Sequence, residues 1–230
     1  MAVRPVFCIY DRIPYVMTIN IDFTFYSGFA TSQKQKSYMN LHENYLKNYP
    51  NSKILEISSK SMDAIGVELS AFNLMIKTNQ RTFSVESAFQ SSKVFEMGGP
   101  YTDLLDKSAR EAKKDIRLKS SGKLVGFQYF GKQYPLEPKD YFYNWLYVNS
   151  LYINKLLMQQ VINYDSFTDI EFNPDKSINC QAKSIALFVS LYKANLLDKA
   201  LNSHEEFLDI AYGIQNKSDF QQLDFKSFLK

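Results

Sequence analysis

The pattern of apolar and polar positions predicts a chain that begins with short β-strands and continues mainly as helices. VFCIY and IDFTFY are apolar pieces typical of strands near the N-terminus. A polar segment with helical character follows from Ser32 to Tyr49, and Pro50 ends it because proline cannot continue a helix. KILEIS and LSAFNLMIK then predict two short strands on either side of a loop around Gly66.

The middle of the chain predicts two helices and a hairpin. FSVESAFQSSKVFE predicts a helix from Ser84 to Glu96, and the Gly-Gly-Pro that closely follows ends it. Ser108 and Glu111 form a capping-box pattern, which opens a basic helix that reaches about Lys119. LVGFQYF and QYPL, joined through Gly-Lys, predict a β-hairpin.

The C-terminal part predicts further helices. The longest runs from Pro138 to about Tyr164 and places four large side chains at core spacing: Tyr141, Trp145, Val148 and Tyr152. An irregular turn, FTDIEFNPDKS, leads to a helix over Asn179–Leu197 and a shorter one near Glu205–Tyr212, while the last residues are expected to dock loosely. The elements together predict a mainly α, α+β domain with a small β-sheet near its front.

Composition and charge narrow the class of protein. The chain has 230 residues, 45% hydrophobic and 22% charged, as expected for a globular protein with a sizeable core, and its net charge of +3 does not by itself indicate nucleic-acid binding. Cys8 and Cys180 lie far apart, so neither a disulfide framework nor a metal site is predicted. No signal peptide or membrane span is evident, and a cytoplasmic location is expected. His42 and His204 lie in polar helical surroundings and are interpreted as surface residues.

The segment from Phe83 to Glu96 carries the clearest candidate chemistry. In a helix, Glu86, Gln90 and Lys93 would share one face, with about 10 Å along the axis between the first and the last. That separation is too large for an ion pair, but an acid, an amide and an amine that converge on a ligand suit the chemistry of a glycosidic bond. The alternative is a solvated polar stripe.

Two further clusters suit phosphate and sugar binding. LEISSKS with GVELSAFNL places small hydroxyls beside a glycine, where donors can approach a ligand closely, although ordinary serine turns explain the same pattern. The helix SAREAKKDIR offers Arg110, Lys113, Lys114 and Arg117 near free N–H groups, which favours phosphate, and a charged solvent face is the alternative. The run Gln33–Lys36 either touches phosphates or is a solvated helix start.

The segment FTDIEFNPDKSINCQ contains a third candidate cluster. A buried Asp169 near Asn173 and Asn179 is suited to orient a sugar hydroxyl or to polarise a catalytic group. Alternatively, Asp175 and Ser177 simply form a turn and a helix cap.

Four of these segments in their order resemble the NADAR family, and more closely the NADAR antitoxins that are paired with DarT-type toxins. The resemblance is carried by LSAFNL, FSVESAFQSSKVFE, SAREAKKDIR and TDIEFN…INCQAKS, with a core match from about Lys53 to Leu196. It implies a YbiA/NADAR-like catalytic domain over residues 51–212, an N-terminal extension over 1–50 packed on the core, and a C-terminal tail over 213–230.

The resemblance also implies a function. Such a protein is an N-glycosidase that removes ADP-ribose from guanine bases in DNA and so reverses a DarT-like ADP-ribosyltransferase toxin, with no cofactor, metal or membrane involved. Two alternatives stay open. One is an N-glycosidase for a small nucleotide metabolite of the riboflavin-pathway type, and the other is a non-catalytic immunity or binding protein.

The roles of individual residues follow from the same resemblance. Lys93 matches the family's catalytic lysine and would either attack C1 or protonate the leaving base. Glu86 would position the ribose and handle protons, and Asp169 would orient the far side of the sugar. The expected substrate-binding residues are Ser58, Ser59, Lys60, Ser70, Phe72, Asn73, Gln90, Lys113, Arg117, Phe172 and Asn179.

Overall fold

The computed structural model describes residues 1–214. The expectation that the end of the chain docks loosely concerns residues that lie almost entirely outside this range. Helices outweigh strands in the described part of the chain, which confirms the prediction of a mainly helical α+β protein.

The strands are, in chain order, β1 (Ala2–Ile9), β2 (Val16–Phe23), β3 (Ile54–Glu56), β4 (Met75–Lys77), β5 (Thr82–Ser84), β6 (Lys93–Phe95), β7 (Leu124–Tyr129), β8 (Lys132–Tyr134) and β9 (Ser166–Thr168). The helices are α1 (Thr31–Asn48), α2 (Ala64–Glu68), α3 (Val85–Ser91), α4 (Ala109–Lys114), α5 (Arg117–Ser120), α6 (Tyr141–Ile153), α7 (Lys155–Val161), α8 (Gln181–Lys193), α9 (Leu197–Ala200) and α10 (His204–Tyr212). A short 3-10 helix spans Thr102–Asp106.

The largest sheet has four strands in the order β2-β1-β9-β3. β1 is antiparallel to both β2 and β9, whereas β3 runs parallel to β9. The first 50 residues therefore supply two of the four strands. The β4-β5 pair and the β6-β7-β8 sheet are separate, and the latter contains the predicted hairpin.

The main core lies around α6 and α8. Every residue of α6 from Tyr141 to Leu151 is buried, and so is every residue of α8 from Gln181 to Leu191 except Lys183, as expected for helices that are covered on nearly all sides. A second, smaller core lies where α1 packs Tyr38, Leu41 and Tyr45 against the sheet. The capping box at Ser108 is present as predicted.

The predicted helix over Ser84–Glu96 is wrong in its second half. α3 ends at Ser91 because the hydroxyls of Ser91 and Ser92 donate hydrogen bonds to the backbone carbonyls of Ala88 and Phe89, and both bonds are 2.9 Å long. The chain then becomes β6, in which Lys93 pairs with Phe127 of β7. Lys93 is therefore a strand residue and not the third member of a helical row.

The predicted long helix over Pro138–Tyr164 is also wrong, because Asn154 divides it into α6 and α7. The Asn154 side chain donates hydrogen bonds to the carbonyls of Ser150 and Met75. It therefore binds a backbone carbonyl near the end of α6 and links that end of the helix to β4. The basic helix is likewise split into α4 and α5. The longest described helix is α1, with 18 residues.

Two predictions about short elements need correction. The loop around Gly66 is the helix α2, and a Cβ at Gly66 would lie 2.1 Å from the carbonyl oxygen of Glu56, so glycine allows α2 to pack on β3. LSAFNLMIK forms a strand only at β4, and its first part is a turn. The turn FTDIEFNPDKS begins inside β9, an interior strand of the largest sheet.

Candidate functional site

Three adjoining cavities lie where α3, β6, α4 and the segment after β9 meet. The central pocket, about 250 Å³, contains the catalytic candidates Glu86, Lys93 and Asp169. It is also lined by other predicted residues, which are Phe72, Gln90, Lys113, Phe172 and Asn179. The structure therefore brings many of the predicted residues together at this pocket, and Lys93 reaches it from a strand.

The central pocket continues on two sides. The basic lobe, about 570 Å³, is lined by the remaining predicted hydroxyl and amide residues and by four cations, namely Ser58, Ser59, Lys60, Ser70, Asn73, Arg110, Lys113 and Lys114. The outer lobe, about 560 Å³, lies between the β7–β8 hairpin with the chain after it and the loop Pro174–Asn179. Lys113 lines both the central pocket and the basic lobe, whereas Lys93 and Asn179 line both the central pocket and the outer lobe.

Glu86 lies in the first turn of α3, whose Ser84 cap accepts a hydrogen bond from the backbone N–H of Ser87. A carboxylate is stabilised at this end of a helix by the helix dipole. The Glu86 side chain is almost fully buried, accepts a hydrogen bond from Gln90 Nε2 at 2.9 Å and pairs with Lys113 Nζ at 3.4 Å. The Glu86 carboxyl group is thus held in place by an amide and an amine.

Lys93 has the environment of a reactive amine. Burial lowers the pKa of Lys93 to about 8, the neighbouring Lys113 lowers the pKa further, and Glu86 opposes the change. The Lys93 Nζ lies 4.8 Å from the centre of the Phe89 ring. An amine with this pKa is neutral in roughly one molecule in eleven at pH 7, compared with about one in three thousand for an unperturbed lysine.

Asp169 follows β9 directly and lies beside a second carboxyl group, Glu56. Burial raises the pKa of Asp169 well above its ordinary value, and Glu56 raises it further. Glu56 is 1% exposed and accepts hydrogen bonds from Thr168 Oγ1 at 2.6 Å and from the Ile170 N–H at 2.8 Å. Burial raises the pKa of Glu56 as well, so this pair favours a protonated carboxyl group at the pocket wall.

The interpretation of both histidines as surface residues is wrong. His42 Nε2 lies 2.7 Å from Thr168 Oγ1, and burial lowers the pKa of His42 to about 4. Because the Thr168 hydroxyl donates to Glu56, we infer that neutral His42 donates to Thr168 through its Nε2–H. His204 is partly buried, 2.7 Å from Glu205 and with its ring against Tyr134.

The N-terminal segment also reaches the rim of the site. Lys34 Nζ lies 3.6 Å from a carboxylate oxygen of Glu171, which lines both the central pocket and the basic lobe. Of the two interpretations of the Gln33–Lys36 run, neither anticipated this ion pair.

The basic lobe has the character of an anion site. It brings four cations together with one carboxylate, Glu171. Ser70 is 1% exposed, and its hydroxyl has no hydrogen-bond partner among residues 1–214. A buried hydroxyl without a partner is uncommon, and here it leaves a hydrogen-bonding group available at the cavity wall.

Arg117 is the predicted substrate-binding residue that the structure does not bring to the site. Its guanidinium pairs with Asp103 at 2.7 Å and with Asp115 at 2.8 Å, and it stacks on the Tyr101 ring at 4.4 Å. The break between α4 and α5 directs Arg117 away from the lobe, whereas Arg110 and Lys114 line it.

Sequence reasoning missed Glu56 and His42, although both left a signal. Glu56 is an acidic residue inside the apolar strand KILEIS, where a buried charge needs partners. His42 lies next to the buried positions Tyr38, Leu41 and Tyr45 on one face of α1. Gln181, whose side chain bridges the Ala71 N–H and the Ile57 carbonyl, was not separately identifiable.

The fold and the site define a mixed α+β protein with a lysine–carboxylate pocket beside a cationic lobe. Within residues 1–214 there is no group of three His, Cys, Asp or Glu side chains that could hold a metal, and no helix is long and apolar enough to cross a membrane. The chain belongs to the family of DarT1-associated NADAR antitoxins, whose sequence profile matches residues 2–221. This confirms the resemblance found in the sequence. No curated protein matches the chain significantly.

Proposed function

We propose that this protein is an antitoxin enzyme that hydrolyses the N-glycosidic bond between ADP-ribose and guanine in DNA, and so reverses a DarT-like toxin. The observation that carries the proposal is the position of Lys93. A lysine with a lowered pKa lies beside Glu86 in a central pocket that adjoins a cationic lobe. Membership of the DarT1-associated antitoxin family supports the pairing with a toxin.

The basic lobe suits the diphosphate of ADP-ribose. Arg110, Lys113 and Lys114 supply cations for phosphate oxygens, and the unpartnered Ser70 hydroxyl supplies a further donor. Lys113 also pairs with Glu86, so a phosphate bound there is linked electrostatically to the central pocket. The ribose that carries the guanine then lies in the central pocket, next to Lys93 and Asp169.

The proposed reaction begins when neutral Lys93 attacks C1 of this ribose. The C1–N bond breaks with its electron pair on the guanine nitrogen. The Lys93 nitrogen, now bonded to C1, loses a proton to Glu86, and Glu86 passes that proton to the departing guanine nitrogen. Opening of the sugar ring gives an imine, and addition of water to C1 releases ADP-ribose and restores the amine. The raised pKa of Asp169 favours its protonated form, which donates a hydrogen bond to a ribose hydroxyl.

The alternative role for Lys93 is that of a general acid that protonates the leaving guanine, while Glu86 stabilises positive charge at C1. Treatment with borohydride during turnover separates the two roles. A covalent protein–ADP-ribose adduct that requires Lys93 indicates the imine, and turnover without an adduct indicates acid catalysis.

The direct test is the release of ADP-ribose from a modified oligonucleotide by the wild type, Lys93→Ala and Lys93→Arg. We expect both variants to lose at least a hundredfold in rate, because proton transfer alone contributes that much. Full activity in both variants would remove Lys93 from the mechanism. Arg117→Gln is the matched control, since this cation lies outside the three cavities.

A test of protection in cells that express the toxin distinguishes catalysis from binding. If the protein acts only by masking its toxin or the modified base, Glu86→Gln should still protect cells that express the toxin. We expect Glu86→Gln to lose protection while the protein remains folded. Free nucleotide intermediates assayed beside modified DNA test the remaining alternative, an N-glycosidase for a small nucleotide metabolite.

A further inference from the structure

The outer lobe is a cavity that the proposed binding of ADP-ribose does not use. Its floor is made of Phe89, Phe127 and Lys93, and apolar side chains at Leu124 and Leu136 line one wall. The opposite wall is the loop that ends at Asn179. The volume, about 560 Å³, is in the range of ordinary ligand sites.

The loop that forms the opposite wall is held in a defined conformation. The Asn173 side chain accepts the Asp175 N–H at 3.0 Å, and the Asn173 carbonyl accepts the N–H groups of Lys176 and Ser177, each at 3.0 Å. Ile178 follows at the rim and is 54% exposed. The loop therefore presents an apolar side chain to solvent at the edge of a cavity that leads to the proposed catalytic amine.

Asn179 indicates that a ligand with N–H donors belongs there. Its Oδ1 atom is buried and has no hydrogen-bond partner within the described part of the chain. Asn179 lines both the central pocket and the outer lobe, so this acceptor lies where the two meet. A purine that carries N–H groups satisfies it, and the aromatic floor suits a flat base.

The charges of the two lobes are different. The basic lobe has four cations and one carboxylate, which suits a diphosphate. The outer lobe has Lys93, Lys139 and Lys176 together with the carboxylates Glu137 and Asp175. Lys139 and Lys176 are exposed, and neither is in an ion pair with another described residue. These two surface lysines can each contact one phosphate of a nucleic-acid strand.

We propose that the outer lobe binds the DNA side of the substrate: the modified guanine stacks in the lobe against Asn179, and Lys139 and Lys176 contact phosphates of the flanking single strand. This inference rests on the proposed function and deepens it. It places the scissile bond at Lys93, with ADP-ribose in the basic lobe and the strand leaving over the Ile178 rim.

The test compares two substrates, an ADP-ribosylated single-stranded oligonucleotide and the ADP-ribosylated guanosine mononucleoside, which has no flanking phosphates. The variant is Lys139→Gln with Lys176→Gln. The control, Lys193→Gln with Lys199→Gln, removes the same charge from α8 and α9. Lys193 lies about 18 Å along α8 from Gln181, the site residue of that helix.

We expect the double variant to lower the ratio of kcat/KM for oligonucleotide over mononucleoside by roughly tenfold at about 0.2 M salt, whereas the control keeps the wild-type ratio. The slope of log kcat/KM against log salt for the oligonucleotide should become less steep by about 1.4, or about 0.7 for each phosphate contact on a single strand.

An unchanged ratio and slope would overturn the assignment of the strand to this lobe, and equal losses on both substrates would show that the two lysines do not act through flanking phosphates. If the wild type cleaves neither substrate, the proposed function itself fails. That outcome is distinct from an active wild type with an unchanged ratio.

Discussion

Replacing Lys93 with methionine should inactivate the proposed enzyme and stabilise the fold. The pKa of Lys93 is about 8 in the folded protein and 10.5 when unperturbed. At 1.36 kcal/mol for each pH unit, the charged amine destabilises the fold by about 3 kcal/mol at neutral pH. Contact with the Phe89 ring offsets about 0.5–1 kcal/mol. Lys93→Met should therefore raise the free energy of unfolding by about 2–3 kcal/mol.

The stability gained by Lys93→Met should decrease as the pH rises. Below pH 8 the lysine is charged in both the folded and the unfolded state, so the full penalty is present. Between pH 8 and 10.5 the unfolded state binds more protons, and the stability of the wild type rises with pH. Above about pH 10.5 the amine is neutral in both states. The advantage of the methionine variant should therefore disappear as the pH approaches 10.5.

Urea unfolding followed by tryptophan fluorescence measures this difference, because Trp145 is the single tryptophan and is 5% exposed. The midpoint should move by roughly 1 M at pH 7 if the slope is about 2–3 kcal/mol per molar urea. Lys199→Met, an exposed control, should change stability by less than about 0.5 kcal/mol. A Lys93→Met protein that is no more stable than the wild type, or a gain that does not change with pH, would refute the reasoning.

Three further predictions concern the rate, the buried network and the basic lobe. If the Lys93 amine is the nucleophile, the single-turnover rate of cleavage should rise about tenfold per pH unit up to about pH 8 and then level. Lys113→Gln should move this inflection to higher pH. A rate that does not change with pH would contradict the role of Lys93 as the nucleophile. Thr168→Val should lower the free energy of unfolding by about 1–3 kcal/mol in thermal or urea melts, because buried Glu56 loses a hydrogen-bond donor. An unchanged melt would show that water replaces the Thr168 hydroxyl as the donor. Arg110→Gln should raise KM for modified DNA at least threefold while Arg117→Gln leaves it unchanged, and equal effects would return Arg117 to the site.

Local chemistry made a large part of this fold predictable. The capping box at Ser108, the β7–β8 hairpin and the start of α3 at Ser84 each depend on residues within a few positions of one another. The residue types of the central pocket were predictable for a similar reason, because Glu86 and Gln90 are separated by one helical turn.

The errors arise where distant partners decide the local structure. Lys93 is a strand residue because β6 pairs with β7, about 30 positions further along, and no helical pattern records that pairing. β9 has only three residues and exists because β1 and β3 flank it. The pairing of Asp169 with Glu56 depends on the same contact between strands. Side-chain periodicity carries no information about such partners.

The strand order of the largest sheet has a consequence for synthesis of the protein. β1 is made first, but one of its two neighbours, β9, is made about 160 residues later. At about 5–20 residues per second, the β1–β2 hairpin waits for several seconds or more before β9 arrives. Asp169 is joined directly to β9, so the proposed catalytic wall is completed only when roughly four fifths of the described chain has been made. Nascent chains therefore complete the site late, and a shortened chain that lacks β1 should be deficient in activity as well as in stability.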